Sequence, residues 1–186
     1  THDAVLWQYV SCVIDASIEG SDLPLHALPL YHCAQLDVFL GPSIYVGCTN
    51  VVTAKPVPEN LLPLIERHRI TSFFAPPTVW IALLRSPLFD RTDLSSLKKG
   101  YYGASIMPME VLRELAERLP AVRLWNLYGQ TEIAPLATML GPDEQLVVYA
   151  NDEIATELDG VDPRATRIHR VQRPATAREL RPDVEV

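Results

Sequence analysis

The feature that most constrains the fold is the alternation of short apolar runs with amphipathic segments across the first 140 residues. Segment 58–68 is typical of a helix, with a proline in its first turn, an apolar stripe, and basic residues at its end. Segment 122–127 is a short apolar run of strand length. Because a connecting helix lets successive strands run parallel, the pattern predicts βαβ units. The predicted fold class is α/β, with a mostly parallel sheet flanked by helices.

The individual elements follow from the same periodicities. Helices are predicted over residues 4–17, 35–46, 58–68, 78–85 and 108–118, and strands over residues 25–30, 49–52, 72–75, 99–102 and 122–127. Thr78 is predicted to cap the fourth helix, because a threonine hydroxyl can accept a hydrogen bond from a free amide at a helix start. The sequence contains no internal repeat.

The character of the sequence changes after about residue 145. Residues 143–186 carry 10 acidic and 6 basic residues, and residues 164–181 include six arginines but no lysine or aromatic residue. Weak apolar periodicity of this kind does not support a packed core. We therefore predict a domain over residues 1–145 and a divergent, poorly ordered tail over residues 146–186.

Composition and charge exclude several function classes. The 186 residues carry a net charge of −7 without a basic stripe, which argues against nucleic acid as a partner. No apolar run reaches the ~18 residues of a transmembrane segment. Cys12, Cys33 and Cys48 are odd in number and lack CxxC spacing. Such cysteines are typical of buried thiols in a reducing compartment, so we expect a cytoplasmic protein.

The strand predicted at 122–127 runs directly into Tyr128-Gly129-Gln130-Thr131-Glu132. In open α/β folds, ligands bind at the carboxyl ends of strands, where this turn is expected. An aromatic ring can stack on a purine, a glycine permits close approach, a threonine hydroxyl can contact phosphate, and a glutamate can hold Mg²⁺. A glutamate in a turn is also commonly just solvated. The pentapeptide alone therefore favours a nucleotide–metal turn and a plain surface turn about equally.

Two further segments carry candidate site residues. Gly103, Ala104 and Ser105 follow the strand predicted at 99–102, and their small side chains would let a flat ring lie against the backbone. In isolation, close packing is the favoured explanation by about two to one. His32 follows another strand and can stabilise developing charge, although a lone histidine is more often structural. The sequence shows no nucleophile elbow and no metal-ligand cluster around it.

A rigid strand exit, Pro76-Pro77-Thr78, follows the strand predicted at 72–75. Together with Phe39, Phe74 and Trp80 it can wall an apolar pocket. Large aromatic side chains are more often part of the core, so the core is the favoured explanation for these three residues.

Four of these segments occur in a recognisable order, namely Leu28-Pro29-Leu30-Tyr31-His32, Pro76-Pro77-Thr78, Gly103-Ala104-Ser105 and Tyr128-Gly129-Gln130-Thr131-Glu132. In this order and spacing they resemble the large N-terminal domain of the adenylate-forming (AMP-binding) ligases, the acyl-CoA synthetases and their relatives. The resemblance covers residues 1–145. Residues 28–40 and 99–108 are most similar to bacterial fatty acyl-CoA synthetases.

The resemblance implies a two-step reaction that uses ATP, Mg²⁺ and coenzyme A. The carboxylate of a fatty acid, or of another carboxylic acid, attacks the α-phosphate of ATP and gives an acyl-adenylate and pyrophosphate. The thiol of coenzyme A then displaces AMP. The resemblance implies that this chain is part of a fatty acid–CoA ligase.

The resemblance also implies roles for the motif residues. Glu132 would bind Mg²⁺, Thr131 would contact phosphate, and Tyr128 would stack on adenine. His32 would lie where the carboxylate meets the acyl tunnel, so that His32, Thr131 and Glu132 are the candidate catalytic residues. The residues that would line the adenine and adenylate pocket are Gly103, Ala104, Ser105, Gly129 and Gln130.

Compared with the family, the sequence lacks several parts. A phosphate-binding loop rich in Ser, Thr and Gly is expected just before residue 1. The ribose-binding aspartate, the hinge and a C-terminal domain with its catalytic lysine are expected elsewhere. Because the loop and the lysine supply much of the electrostatic stabilisation, these residues alone are expected to be inactive. Two alternatives stay open, a non-catalytic adenylate-fold binding protein and a ligase that loads acyl groups onto a carrier protein.

Overall fold

The computed structural model describes residues 1–143, which contain a six-stranded sheet of order β2-β1-β3-β4-β5-β6. The strands are β1 (Pro24–His26), β2 (Val51–Val52), β3 (Ser72–Phe74), β4 (Lys99–Gly103), β5 (Arg123–Gly129) and β6 (Leu136–Leu140). Strands β1 to β5 pair in parallel, and β6 pairs antiparallel with β5. The predicted α/β class with a mostly parallel sheet is therefore confirmed.

Helices flank the sheet. Within residues 1–143 they are α1 (His2–Asp15), a π-helix (Ala34–Leu40), α2 (Gly41–Tyr45), α3 (Pro58–His68), α4 (Pro77–Arg85) and α5 (Met109–Arg118). Helix α3 coincides with its prediction. It buries Leu61, Leu62 and Ile65, and it ends at Arg69, which adopts the left-handed conformation with a φ of 54°. Its apolar stripe and its end signals therefore act as the sequence indicates.

Two hydrophobic clusters form because successive residues of a strand point to opposite faces of the sheet. In β4, Tyr101 packs with Cys12 of α1 and Phe39 of the π-helix. Its neighbour Tyr102 packs in the other cluster with the buried residues of α3, α4 and α5. This alternation places helices against both faces and leaves the carboxyl end of the sheet open for a site.

The helix predicted over residues 35–46 is wrong as one regular element. The chain instead forms the π-helix and then α2, which has Pro42 in its first turn. Proline has no amide proton and clashes with the preceding turn, so a regular α-helical hydrogen-bond ladder cannot continue through it. A π-helix is rare and is frequently found next to a functional site.

Other local predictions need correction. Thr78 does not cap α4, because the helix begins after Pro76 and no side chain accepts a hydrogen bond from its first amides. Strand β1 ends at His26 rather than at residue 30. Strand β5 continues through Gly129, so Tyr128 and Gly129 belong to the strand and not to the turn. Strand β6 is not predicted from the sequence, because residues 136–140 show no alternation of apolar and polar residue types.

The described residues also bear on two expectations about the whole chain. The three cysteines are free, and Cys12 is buried while Cys33 and Cys48 are partly exposed. In the described part of the chain, no helix is long and apolar enough to cross a bilayer. Thr1–Pro142 form one compact unit. The predicted boundary near residue 146 and the tail over 146–186 lie outside the described residues.

Candidate active site

A cavity of about 320 Å³ lies at the carboxyl ends of β4 and β5, beside the segment that follows β1. Eight of the nine candidate residues line it: His32, Gly103, Ala104, Tyr128, Gly129, Gln130, Thr131 and Glu132. Ser105 is the exception, since it is exposed to solvent and does not line the cavity. Segments far apart in the sequence therefore meet at the edge of the sheet where ligands of α/β folds bind.

The end of β5 shapes one wall of the cavity. The pairing of β5 with β6 is irregular between Tyr128 and Gly129, and the Gln130 amide donates to the Pro135 carbonyl at 2.7 Å. A Cβ atom at position 129 would collide with the Pro135 carbonyl oxygen. Glycine is therefore required there by the chain's own backbone, whatever ligand binds.

The turn after β5 presents two polar side chains to solvent. Thr131 and Glu132 begin a short 3₁₀ turn (Thr131–Ile133), which is closed by hydrogen bonds from the Ile133 amide to the Gln130 carbonyl at 3.1 Å and from the Ala134 amide to the Thr131 carbonyl at 3.3 Å. Both side chains are exposed at the cavity. A hydroxyl and a carboxylate are thus available to a ligand without a prior cost of breaking a buried contact.

The opposite wall carries His32 and Cys33. The His32 Nδ1 accepts a hydrogen bond from the Ala34 amide at 3.1 Å, so the neutral ring carries its proton on Nε2. The Cys33 Sγ lies 3.1 Å from the Thr131 Oγ1, a contact between residues 98 positions apart. Sequence reasoning missed Cys33 as a lining residue, and its adjacency to His32 is the one signal that could have found it.

The floor of the cavity is apolar and aromatic. The ring centroids of Phe39 and Phe74 are 4.4 Å apart and nearly parallel, and Tyr101 lies 4.9 Å from Phe39. Phe39 and Phe74 line the cavity and also belong to a buried hydrophobic cluster, so both the pocket-wall and the core explanations hold for them. Trp80 packs in the other cluster and donates from Nε1 to the Tyr101 carbonyl at 3.1 Å. Trp80 is therefore a core residue and not a pocket wall.

Gly103 is required by the sheet as well as by the cavity. A Cβ atom at this position would lie 2.5 Å from the Leu127 carbonyl oxygen on β5. Close packing, the favoured explanation for Gly103, Ala104 and Ser105, thus holds for Gly103. The same residue lines the cavity, so its missing side chain also leaves backbone accessible to a ligand.

A buried histidine supports the segment that carries His32. The His26 Nε2 lies 2.7 Å from the Asn50 Oδ1, and its Nδ1 lies 2.7 Å from the Gln35 Nε2. The Gln35 Oε1 accepts from the Leu28 amide at 3.3 Å. Burial lowers the pKa of His26, which keeps the ring neutral and suited to accept on one nitrogen and donate on the other. Sequence reasoning did not single out His26, because nothing distinguishes a buried histidine in a short strand.

Two residues beside the cavity have strained backbones. Ala104 and Ala134 have φ angles of 66° and 68°, in the left-handed region that side chains disfavour. Ala104 lines the cavity, and Ala134 ends the 3₁₀ turn. Strained residues cluster at ligand sites because the surrounding structure holds them in place.

Substitution of Ala104 by glycine is expected to raise the free energy of unfolding by roughly 0.5–1 kcal/mol, since glycine adopts this φ without steric cost. Ala137→Gly in β6 is the matched control, and there glycine should lower the free energy by a similar amount because the backbone is extended. Urea unfolding monitored by tryptophan fluorescence measures both. A loss of stability in Ala104→Gly would contradict the assignment of strain.

The site residues suit Mg²⁺ when the ion arrives with a phosphate ligand. Residues 1–143 contain no cluster of three histidine, cysteine or acidic side chains that could hold a metal by itself. Mg²⁺ in nucleotide sites typically takes one or two carboxylates, with phosphate and water oxygens as the other ligands. The exposed carboxylate of Glu132 fits that requirement.

Comparisons with known proteins identify the family. Residues 1–162 match the family of AMP-binding enzymes. The chain is 35% identical over 122 residues to 4-coumarate–CoA ligase 3 of Arabidopsis thaliana. The alignment covers 66% of this chain and 22% of that protein. It is 31% identical over 118 residues to a long-chain-fatty-acid–CoA ligase of Bacillus subtilis. That alignment covers 63% of this chain and 21% of that protein.

The fold is also similar to solved structures. The N-terminal domain of FACL13 from Mycobacterium tuberculosis superposes with a TM-score of 0.71 at 22% identity, over 78% of this chain and 36% of that one. The chain spans about a fifth of the length of the two curated relatives. With its family match over residues 1–162, the chain belongs to the AMP-binding enzymes, the adenylate-forming ligases.

Proposed function

We propose that this segment forms part of an ATP-dependent fatty acid–CoA ligase. The observation that carries the proposal is the cavity, where a polar rim from the β5 turn meets an apolar aromatic floor. A carboxylic acid with an apolar body needs that combination, because its tail requires burial while its head and a nucleotide require polar groups. The activity is assigned to the full-length gene product, since the chain spans about a fifth of its relatives.

The proposed reaction has two balanced steps. In the first, a carboxylate oxygen bonds to the α-phosphorus of ATP. The bond from that phosphorus to the oxygen bridging the α- and β-phosphates breaks, and pyrophosphate leaves with that oxygen. In the second, the sulfur of coenzyme A bonds to the acyl carbon, and its S–H bond breaks with release of the proton to solvent. The carbon–oxygen bond to AMP breaks, and AMP leaves with the electron pair. Negative charge builds up on phosphate oxygens in the first step, so the groups that face them determine its rate.

The residues of the cavity rim are proposed to serve the first step. Tyr128, which is 62% exposed at the end of β5, offers a face on which adenine can stack. Thr131 offers a hydroxyl donor for phosphate, and Glu132 offers the carboxylate ligand for Mg²⁺. When bound, Mg²⁺ would neutralise part of the triphosphate charge. His32, with Nε2 carrying the proton, is proposed to donate to the substrate carboxylate or to its developing charge.

The remaining lining residues are proposed to bind the adenylate through backbone and shape. Gly103 and Ala104 at the end of β4, and Gly129 and Gln130 at the end of β5, form the two sides between which a flat ring would lie. Ser105 is exposed and does not line the cavity, so we propose that it meets a ligand only at the edge of this region. ATP, Mg²⁺ and coenzyme A are thus the proposed cofactor and co-substrates, and we propose a cytoplasmic location.

A second candidate is an aromatic acid–CoA ligase. Its support is the likeness to 4-coumarate–CoA ligase 3, together with the stacked pair Phe39 and Phe74 on which an aromatic acid could lie. The two candidates share the adenylate site and differ in what the apolar floor receives.

The test measures ATP–pyrophosphate exchange by the full-length gene product with medium- and long-chain fatty acids and with 4-coumarate and ferulate. Exchange that depends on fatty acids, followed by formation of acyl-CoA, is the expected result. Exchange only with the aromatic acids would favour the second candidate. Exchange without any coenzyme A thioester would indicate loading of a carrier protein, and nucleotide binding without exchange would indicate a non-catalytic protein.

A further inference from the structure

Gln8 of α1 is a buried amide that contacts the backbone just beyond the Thr131–Ile133 turn. The side chain is 8% exposed and lies one helical turn before Cys12, which is fully buried. With its nitrogen towards β6, the amide donates to the Ala134 carbonyl at 2.6 Å and to the Leu136 carbonyl at 3.3 Å. Both N–H groups are then used, and they join residues more than a hundred positions apart in the sequence.

Cys12 accounts for the orientation of this amide. The other end of the Gln8 amide lies 3.1 Å from the Cys12 sulfur. Burial raises the pKa of Cys12 to about 11, so the thiol remains protonated near neutral pH and can donate to the amide oxygen. The reverse orientation would point the amide oxygen at two carbonyl oxygens, which is repulsive and leaves buried groups unsatisfied.

The contacts converge on the strained end of the turn. Ala134 ends the 3₁₀ turn in the left-handed conformation, with a φ of 68°. Its carbonyl is one of the two that Gln8 holds, and Pro135 between them accepts the Gln130 amide at 2.7 Å. A conformation that costs about 1–2 kcal/mol persists only when neighbouring contacts hold it.

We propose that Gln8, oriented by Cys12, is a positioning residue that clamps Ala134 and Leu136 and thereby fixes how Thr131 and Glu132 face the cavity. The contacts of Gln8 with the turn do not depend on the proposed function, whereas their consequence for adenylation rests on it. Sequence reasoning did not find Gln8, because a glutamine on the buried face of an amphipathic helix carries no motif.

The direct test is made on the wild-type chain by NMR. Slow exchange of the Gln8 side-chain amide protons, with scalar couplings across hydrogen bonds to the carbonyl carbons of Ala134 and Leu136, is the expected result. Fast-exchanging, uncoupled Gln8 protons would overturn the proposal. This measurement needs no substitution, so it decides the matter even if a variant fails to fold.

Hydrogen exchange of variants supplies the second test. Gln8→Leu keeps the volume but removes the donors, and it is expected to speed exchange of the Gln130 amide at least tenfold. The Ala75 amide, which bonds to the Tyr101 carbonyl at 3.1 Å, should stay within twofold. Cys12→Ser keeps a hydrogen-bond donor and should retain slow exchange at Gln130.

The matched control is Gln35→Leu, the same substitution at a second buried glutamine, which lies in the π-helix and is 1% exposed. It should leave exchange at Gln130 unchanged, because its partners are His26 and Leu28. Equal acceleration by Gln8→Leu and Gln35→Leu, or uniform acceleration throughout the chain, would overturn the clamp.

The catalytic consequence is measured in the full-length gene product. Gln8→Leu is expected to raise KM for MgATP in pyrophosphate exchange several-fold while KM for the carboxylic acid stays within twofold. An equal rise in both constants would contradict the positioning role. If the wild type shows no exchange, the proposed function fails, whereas the NMR result on the clamp still stands by itself.

Discussion

Substitution of Glu132 by glutamine is expected to lower ATP–pyrophosphate exchange by the full-length gene product at least ~100-fold, the usual effect of removing one group that stabilises transition-state charge. The carboxylate is exposed at the cavity, next to Thr131, and it is the candidate protein ligand for Mg²⁺. Glutamine keeps the shape but loses the charge that a hard cation requires. Initial rates of exchange at saturating ATP and acid measure the effect.

Two variants control this experiment. Glu132→Asp retains the carboxylate on a shorter side chain and should recover part of the exchange, especially at higher Mg²⁺ concentration. Glu110→Gln changes an exposed glutamate in the first turn of α5, outside the cavity lining, and should leave exchange within twofold. Exchange in Glu132→Gln near the wild-type rate would remove Glu132 from the proposed metal site.

Substitution of Asp22 by alanine is expected to lower the free energy of unfolding by about 3 kcal/mol, because it removes the only buried carboxylate beside Lys99 in the described residues and leaves Glu19, 3.7 Å away and 66% exposed, as the remaining ion-pair partner. The Asp22 Oδ2 lies 2.8 Å from the Lys99 Nζ, and the two side chains are 9% and 14% exposed. Asp22 also accepts from the Glu19 amide at 2.9 Å and from the Thr71 hydroxyl at 3.3 Å. Urea unfolding at neutral pH measures the change.

The partner substitutions identify the cause. The double variant Asp22→Leu with Lys99→Met should recover much of the lost stability, since removing both charges leaves none buried and unpaired. Asp93→Ala breaks the half-exposed pair with Arg69 and should change stability little, because solvent screens it. A loss in Asp22→Ala no larger than that in Asp93→Ala would contradict the argument. The comparison also matters for the site, since Lys99 begins the strand that ends at Gly103.

The architecture could be predicted where the periodicity was strong. Helix α3 carries an apolar stripe and both end signals, and it was predicted to the residue. The segments 35–46 and 136–140 were not predicted correctly. In the first, Pro42 interrupts the regular helical ladder. In the second, strand β6 is decided by pairing with β5 rather than by its own pattern.

The candidate site could be predicted in part because most of its residues lie at the carboxyl ends of strands or just after them. Parallel strands deliver their carboxyl ends to the same edge, so Gly103 and Tyr128 had to lie near each other once β4 and β5 paired. Ser105 shows the limit of this reasoning, since its side chain lies outside the cavity although its two predecessors line it. The direction of a side chain in a turn depends on local φ and ψ angles, here on the left-handed Ala104.

By itself the sequence determined the α/β class and most of the elements, because these depend on local periodicity. The resemblance carried by the four ordered motifs named eight of the residues that line the cavity. Tertiary structure alone decided the contact between Cys33 and Thr131, the buried partners of His26, and the hold of Gln8 on Ala134. These contacts join residues far apart along the chain. Their hydrogen bonds depend on distances of a few ångströms, which packing sets and residue spacing does not.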